Sequence, residues 1–102
     1  MAYTWRNCGY FSQPTALAHP ERVALIDYHG GSQRSRTYGE LEDRLNRIAS
    51  GLVETGLRAG DRVALIVGNR LEYVEALFGA MRAGLVPMTP ELLAARLNRR
   101  HA

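Results

Sequence analysis

At 102 residues, with 46% hydrophobic and 23% charged side chains, the chain has room for one domain and one core, and its composition excludes wholesale disorder. No apolar run approaches the roughly 20 residues that span a bilayer, and the N-terminus lacks the basic-then-apolar pattern of a signal peptide. The net charge of +3 comes from 13 arginines against 10 acidic residues with no lysine, which excludes a P-loop lysine, a Schiff-base lysine or a lysine general base.

Cys8 stands alone, so no internal disulfide forms, and a reducing, cytoplasmic setting fits. Residues 1–22 read as a lead-in segment with a turn or two of helix, since Pro14 opposes one unbroken helix. Trp5, Tyr10 and Phe11 are its anchors on the body, read as packing rather than ligand-stacking groups because large aromatics bury the most area. After the turn at His19–Arg22, Val23–Tyr28 carries a strand signal. His29-Gly30-Gly31-Ser32 offers positions for positive φ, and Arg34–Tyr38 reads as a polar return strand, so a β-hairpin is expected. Its second strand is too polar to be central; it belongs at an edge or carries Arg34 and Arg36 into solvent.

Thr37-Tyr38-Gly39-Glu40 is a T-x-x-E capping box, and Leu41, Leu45, Ile48, Ala49, Leu52 and Val53 continue at helical spacing until Gly56. The opposite side, with Glu42, Asp43, Arg44, Asn46, Arg47 and Glu54, reads as a solvated face with Asp43 and Arg47 in the favourable i,i+4 order.

From Gly60 to Pro87 the pattern is one β-α-β unit. Val63–Val67 is a continuous apolar run of strand length, which predicts a parallel strand covered on both faces. Gly68 breaks it. Asn69 with Glu72 forms a second capping box, which starts a helix near Arg70. Leu71, Val74, Leu77, Phe78 and Met81 share one face, while Arg70, Glu72, Glu75 and Arg82 point elsewhere. Gly79, inside this helix, predicts close approach to a neighbouring backbone, and Gly84 supplies the left-handed stop. Leu85–Pro87 returns as a short parallel strand that Pro87 ends or holds at an edge. Residues 88–102 form a tail in which Thr89 caps and Pro90 opens an Arg-rich helix. Its cluster of Arg96, Arg99, Arg100 and His101 reads as a solvated basic end rather than a nucleic-acid site, because no aromatic platform accompanies it.

Little catalytic apparatus can be assembled from these residues. His19, His29 and His101 lie in a turn, a hairpin loop and the chain end, with no metal-binding spacing among them. No G-x-S-x-G elbow surrounds a serine, and the glycines match neither G-x-G-x-x-G nor G-x-x-x-x-G-K. Val67-Gly68-Asn69, where a strand end meets a helix N-terminus, reads as a phosphate contact or as plain chain reversal. No catalytic, cofactor-binding or metal-ligating residue is assigned.

Two stretches, HPERVALID at 19–27 and TYGELEDRLNRIASGLVETGLRAGDRVALIVGNRLEYVEALFGAMRAGLVP at 37–87, carry a resemblance. Together with Asn7-Cys8-Gly9-Tyr10 they resemble the N-terminal region of AMP-forming acyl-CoA synthetases of the adenylate-forming superfamily, closest to the fatty-acyl-CoA ligases. The resemblance implies an α/β fold, a hairpin followed by a helix and a β-α-β unit with parallel strands, as a partial N-terminal subdomain of that fold. It implies activation of a carboxylic acid with ATP and magnesium to an acyl-adenylate, then transfer to coenzyme A. The family's Ser/Thr/Gly-rich loop ending in Pro-Lys, its downstream acidic residue and its C-terminal lysine match nothing here, so no family residue role is carried onto this sequence.

The expectation is therefore an N-terminal fragment of an acyl-CoA ligase, divided into the lead-in at 1–22, the partial ligase domain at 23–87 and the divergent tail at 88–102. Alone it is expected to be inactive and to bind no cofactor, the ATP, magnesium, coenzyme A and fatty or other carboxylic acid belonging to the full-length family. No nucleic acid and no membrane span are expected, and the half-sheet should expose apolar surface whose edge permits self-association. The alternative is a small non-enzymatic α/β interaction module derived from such a ligase.

Overall fold

A computed structural model of the chain describes residues 7–66, 68, 70–91, 94 and 95. A 3-10 turn (Cys8–Tyr10) leads into helix α1 (Gln13–Ala18), strands β1 (Val23–His29) and β2 (Ser32–Thr37), and helix α2 (Tyr38–Glu54); strand β3 (Arg62–Ala64), helix α3 (Leu71–Arg82) and strand β4 (Val86–Met88) follow. β1 and β2 pair antiparallel, and β3 and β4 pair parallel, which is the mixed α/β arrangement expected.

The hairpin turns on Gly30 and Gly31 at φ 57° and 79°, the two positive values that a two-residue type I′ loop requires. A register irregularity between Val23 and Leu25 sets which residues face the helices. Leu25 lies opposite Arg36 and Asp27 opposite Arg34 on the inner face, whereas Ile26 lies opposite Ser35 and Tyr28 opposite Gln33 on the outer one. The sequence reading placed β2 at an edge, where among the described strands it lies, or sent Arg34 and Arg36 into solvent. Both instead turn inward to acidic residues of α3, because each finds a carboxylate there.

The first capping box is formed as read. The Glu40 N–H donates to Thr37 Oγ1 at 3.2 Å, and the Thr37 N–H donates to Glu40 Oε1 at 2.8 Å. α2 buries Leu41 and Leu45, half-buries Ile48, Ala49 and Leu52, and leaves Val53 exposed. Its outward pair, Arg47 and Asp43, meets at 3.2 Å in solvent as expected.

β3 departs from the expectation of a strand covered on both faces. Burial alternates along it: Val63 is half-buried and Leu65 buried, while Arg62, Ala64 and Ile66 are exposed, Ile66 at 86%. An apolar run reports that cover is wanted on both sides; among the described residues only one side has it. The Leu65 N–H extends the pairing by donating to the Met88 carbonyl at 2.9 Å. Pro87 sits opposite Val63 on the edge strand β4, where its missing N–H leaves no ladder bond broken.

α3 corrects three readings. Its N-cap is Arg70, with no side-chain cap bond from that residue; Asn69, the expected cap, lies outside the described residues, as do Val67, Trp5 and the arginine cluster of the tail. Its deepest stripe is not the apolar one. Leu71, Glu75, Gly79, Ala80 and Arg82 are buried, whereas Val74, Leu77, Phe78 and Met81 are only half-buried. The reason is that α3 meets α2 along a line where charges on both helices pair. Finally, a Cβ at Gly79 would lie 2.6 Å from Ile48 Cγ2, so its close neighbour is a side chain rather than a backbone. The backbone approach occurs at Gly9, where a Cβ would lie 2.6 Å from the Arg82 Cα. Phe11 anchors the lead-in on Phe78 with ring centroids 4.4 Å apart.

Candidate functional site

Three ionic clusters occupy the space where the hairpin, α2 and α3 meet, and they hold the polar chemistry of the described interior. The first is centred on Asp27 of β1. Its Oδ2 accepts from Arg34 Nη2 at 2.7 Å, from Arg70 Nε at 3.2 Å and from the Leu71 N–H at 3.3 Å. The last bond satisfies an orphan N–H at the start of α3 from 44 residues away, so the helix is capped by the hairpin rather than by its own flank. Arg34 also grips Glu72 with both terminal nitrogens, at 2.8 and 2.9 Å.

These contacts set the protonation states. The Arg34 hydrogen bond holds the Asp27 carboxyl down to about 2 against the effect of its burial, with Leu71 and Arg70 adding to the pull. Arg34 is likewise the main cause that lowers Glu72 to about 2. In return Glu72 and then Asp27 raise Arg34 above its ordinary value.

The second cluster surrounds Glu75, whose side chain is 1% exposed. Arg36 Nε of β2 donates to it at 3.2 Å, and Arg44 of α2 donates from Nε at 3.2 Å and from Nη2 at 3.3 Å. The third closes on Arg82. Nε donates to the Gly9 carbonyl at 3.0 Å, Nη1 to Glu42 Oε2 at 2.8 Å and Asn46 Oδ1 at 3.0 Å, and Nη2 to Glu42 Oε1 at 2.7 Å. The guanidinium also lies 4.4 Å over the Tyr10 ring. Burial pushes the Glu42 carboxyl up, but hydrogen bonds from Arg82 and from the Ser12 hydroxyl, 2.7 Å away, outweigh it and leave it lowered.

Chemically this is a structural arrangement. A general acid or base works best with a pKa near the operating pH, whereas Asp27 and Glu72 are driven in the opposite direction. Arginine does not give up its proton. Sequence reading assigned Glu42, Arg44 and Asn46 to a solvated face and Glu75 and Arg82 to a face away from the core, and the structure moves all five into the clusters. Leu71, Glu75 and Arg82 do fall at i, i+4 and i+11, the spacing of a single helical stripe, but that spacing alone does not set them above the apolar stripe beside them. Of the groups weighed for chemistry, His19 lies in the turn, 4.0 Å from Glu21, His29 is exposed at the hairpin tip, and Cys8 is exposed. Among the described residues no three His, Cys, Asp or Glu side chains are grouped to hold a metal ion. Gly68 is exposed, and the two residues that flank it in the phosphate-contact reading, Val67 and Asn69, lie outside the description.

A family model described as AMP-binding enzyme matches residues 13–100. The chain belongs to the AMP-binding enzyme family. Among its relatives, a medium/long-chain-fatty-acid–CoA/3-oxocholest-4-en-26-oate–CoA ligase of Mycolicibacterium smegmatis is 45% identical over 69 residues, which are 68% of this chain and 12% of that protein. A feruloyl-CoA synthase of an Amycolatopsis species is 42% identical over 81 residues, 79% of this chain and 16% of the relative. Among solved structures, a fatty acid AMP ligase from Legionella pneumophila superposes with a TM-score of 0.76 at 27% identity, covering 89% of this chain and 17% of that one. A fatty acyl CoA synthetase of Mycobacterium tuberculosis gives 0.73 at 28% identity, with 84% and 17% covered. The chain thus spans about a sixth or less of the length of these relatives.

The carboxylates of the three clusters do not fit the magnesium that the resemblance implies. Asp27, Glu42 and Glu75 are each enclosed by arginine, whose charge repels a cation and whose N–H groups already occupy the carboxylate oxygens. No step of activation is assigned to them.

Proposed function

We propose that the chain supplies the N-terminal scaffold of an ATP-dependent, AMP-forming acyl-CoA ligase and is inactive by itself. The observation that carries this reading is the family match across residues 13–100, with the superposition on a fatty acid AMP ligase in support. In such an enzyme a fatty or other carboxylic acid is converted with ATP and magnesium to an acyl-adenylate and then to a coenzyme A thioester. This chain's share is positional: the clusters hold the hairpin and the two long helices in a fixed relation on which a larger active site is built. Residues 1–22 serve as the lead-in, 23–87 as the ligase portion and 88–102 as a distinct tail, in a cytoplasmic enzyme.

Two measurements test this. The purified chain, given a fatty acid, ATP and magnesium, should catalyse no exchange of pyrophosphate into ATP; exchange above a no-protein control overturns the inactivity. Residues 7–88 grafted over the aligned segment of the M. smegmatis ligase should leave acyl-CoA formation measurable, and a folded graft without activity counts against the scaffold role. A stand-alone interaction module is the second reading, favoured by the apolar side chains left uncovered at Ile26, Tyr28 and Ile66. A folded, monodisperse chain that captures an intact ligase would put that reading first.

A further inference from the structure

No apolar side chain of the β1–β2 hairpin is buried. Val23, Ile26 and Tyr28 are 54%, 52% and 74% exposed, Leu25 is half-buried, and β2 carries no apolar residue at all. The one buried residue of the two strands is a carboxylate, Asp27. What joins this hairpin to α3 is therefore charge: Asp27 with Arg70 and the Leu71 N–H, Arg34 with Glu72, and Arg36 with Glu75. Outside the ladder, backbone bonds among the described residues hold its base, where the Tyr38 N–H donates to the Arg22 carbonyl at 2.8 Å and the Gly39 N–H to the Pro20 carbonyl at 2.9 Å. The far end, His29 to Ser32, is exposed and turns on two glycines.

We propose that the hairpin is a hinged leaf, held on α3 by charge rather than by burial, which lifts as one unit together with the first turn of α3 while the α2–α3 contact stays closed. Apolar surface loses its stabilisation outright when it meets water, whereas carboxylates and guanidiniums regain hydration that offsets much of the Coulomb energy lost. The leaf is held by contacts of the second kind, and segments with few buried apolar contacts open more readily than the whole molecule unfolds. The pairing of β1 with β2 is internal to the leaf and travels with it. So does the start of α3, because the Leu71 N–H has its acceptor, and Arg70 its tie, on Asp27. The two long helices keep their own bonds, Arg44 to Glu75 and Arg82 to Glu42 and Asn46, with Leu41, Leu45 and Ala80 buried along them. The position of the hairpin thereby sets the order of the β3–α3 junction, 44 residues further along the chain.

Two reporters follow the leaf: the Leu71 amide, by hydrogen exchange, and the thiol of Leu25→Cys in a Cys8→Ser background, by maleimide labelling. The Leu45 amide, in the middle of α2, follows opening of the body. Arg34→Met, which weakens the hold of the leaf, should speed both leaf reporters by about tenfold or more. Gly79→Ala strains the α2–α3 contact, which lifting leaves closed; it should speed Leu45 exchange at least about fivefold and change the leaf reporters by less than about twofold. If Gly79→Ala speeds all three by one factor, the hairpin opens only when the whole chain unfolds, and the proposal fails. It fails too if Arg34→Met leaves labelling at position 25 unchanged, or raises it without raising exchange at Leu71. Should either variant not fold, urea below the midpoint puts the same question to the Leu25→Cys chain alone. Leu45 exchange should rise steeply with urea and the leaf reporters hardly at all, because the slope follows the surface exposed on opening; equal slopes overturn the leaf.

Discussion

At the scale of single residues, the interior of this protein depends on arginine. Among the described arginines Arg82 is the most deeply enclosed, with a side chain 1% exposed, and its removal takes from Glu42 its ionic partner and from the Gly9 carbonyl its donor. Arg82→Ala should cost about 3–5 kcal/mol, the range for breaking a buried pair by removing one partner. The double change Arg82→Met with Glu42→Leu should recover much of that loss, because the uncompensated charge goes with it; thermal melts of the three proteins check both statements. A second expectation concerns acid. Asp27 and Glu72 are held at about 2 when folded, below the 3.8 and 4.5 of the free groups. In that window the unfolded chain binds more protons than the folded one, so stability falls as pH falls. Their contribution is complete above about 4.5 and lost as pH passes down through about 2. Arg34→Met should flatten the slope of stability against pH between those limits, measured by urea denaturation at a series of pH values. These residues were the least legible part of the sequence, because a charge reads as solvent-facing until its partner is known. The partners here lie from 7 to 73 residues away.

Elements were legible where their signals are local. The Thr37–Glu40 box, the Gly30-Gly31 loop and the Gly84 stop, at φ 82°, each lie within a few residues of what they control. Thr37→Ala should therefore cost about 1 kcal/mol through lost capping of α2, visible as a lower urea midpoint with an unchanged slope. The α3 stripe was not legible, because hydrophobic periodicity ranks Val74 and Phe78 above Glu75, and only the face presented by α2 reverses that order. Contact between the two helices also makes Gly79 a packing residue. Gly79→Ala should destabilise by about 1–3 kcal/mol through overpacking against Ile48, despite the better helix propensity of alanine. Ile48→Ala introduced beside it should relieve the clash, and the pair should melt above Gly79→Ala alone.

For the whole molecule, the α/β class and the parallel return of β4 followed from the apolar run, the helix and the two glycine stops. Completeness of cover could not follow, since Val63–Val67 reads the same whether one face is filled or two. Among the described residues the result is a body with well-tied helices and two two-stranded sheets, each covered on one face. Strands of three residues in a two-stranded pair carry little stability of their own, so amides of β3 and β4 should exchange with solvent faster than those in the middle of α2 and α3. Uniform protection across all four elements would show that the sheet is held as firmly as the helices.

The grip of Arg82 on Gly9 also bears on the order in which the chain is made. The two residues are 73 positions apart, with α2 contributing Glu42 and Asn46 between them. As the polypeptide leaves the ribosome this turn emerges before α3, so its bond to Arg82 cannot form until the end of α3 has followed. A turn made early is thus fixed late, and a nascent chain stalled before residue 82 should leave it open to proteases while α2 is already wound.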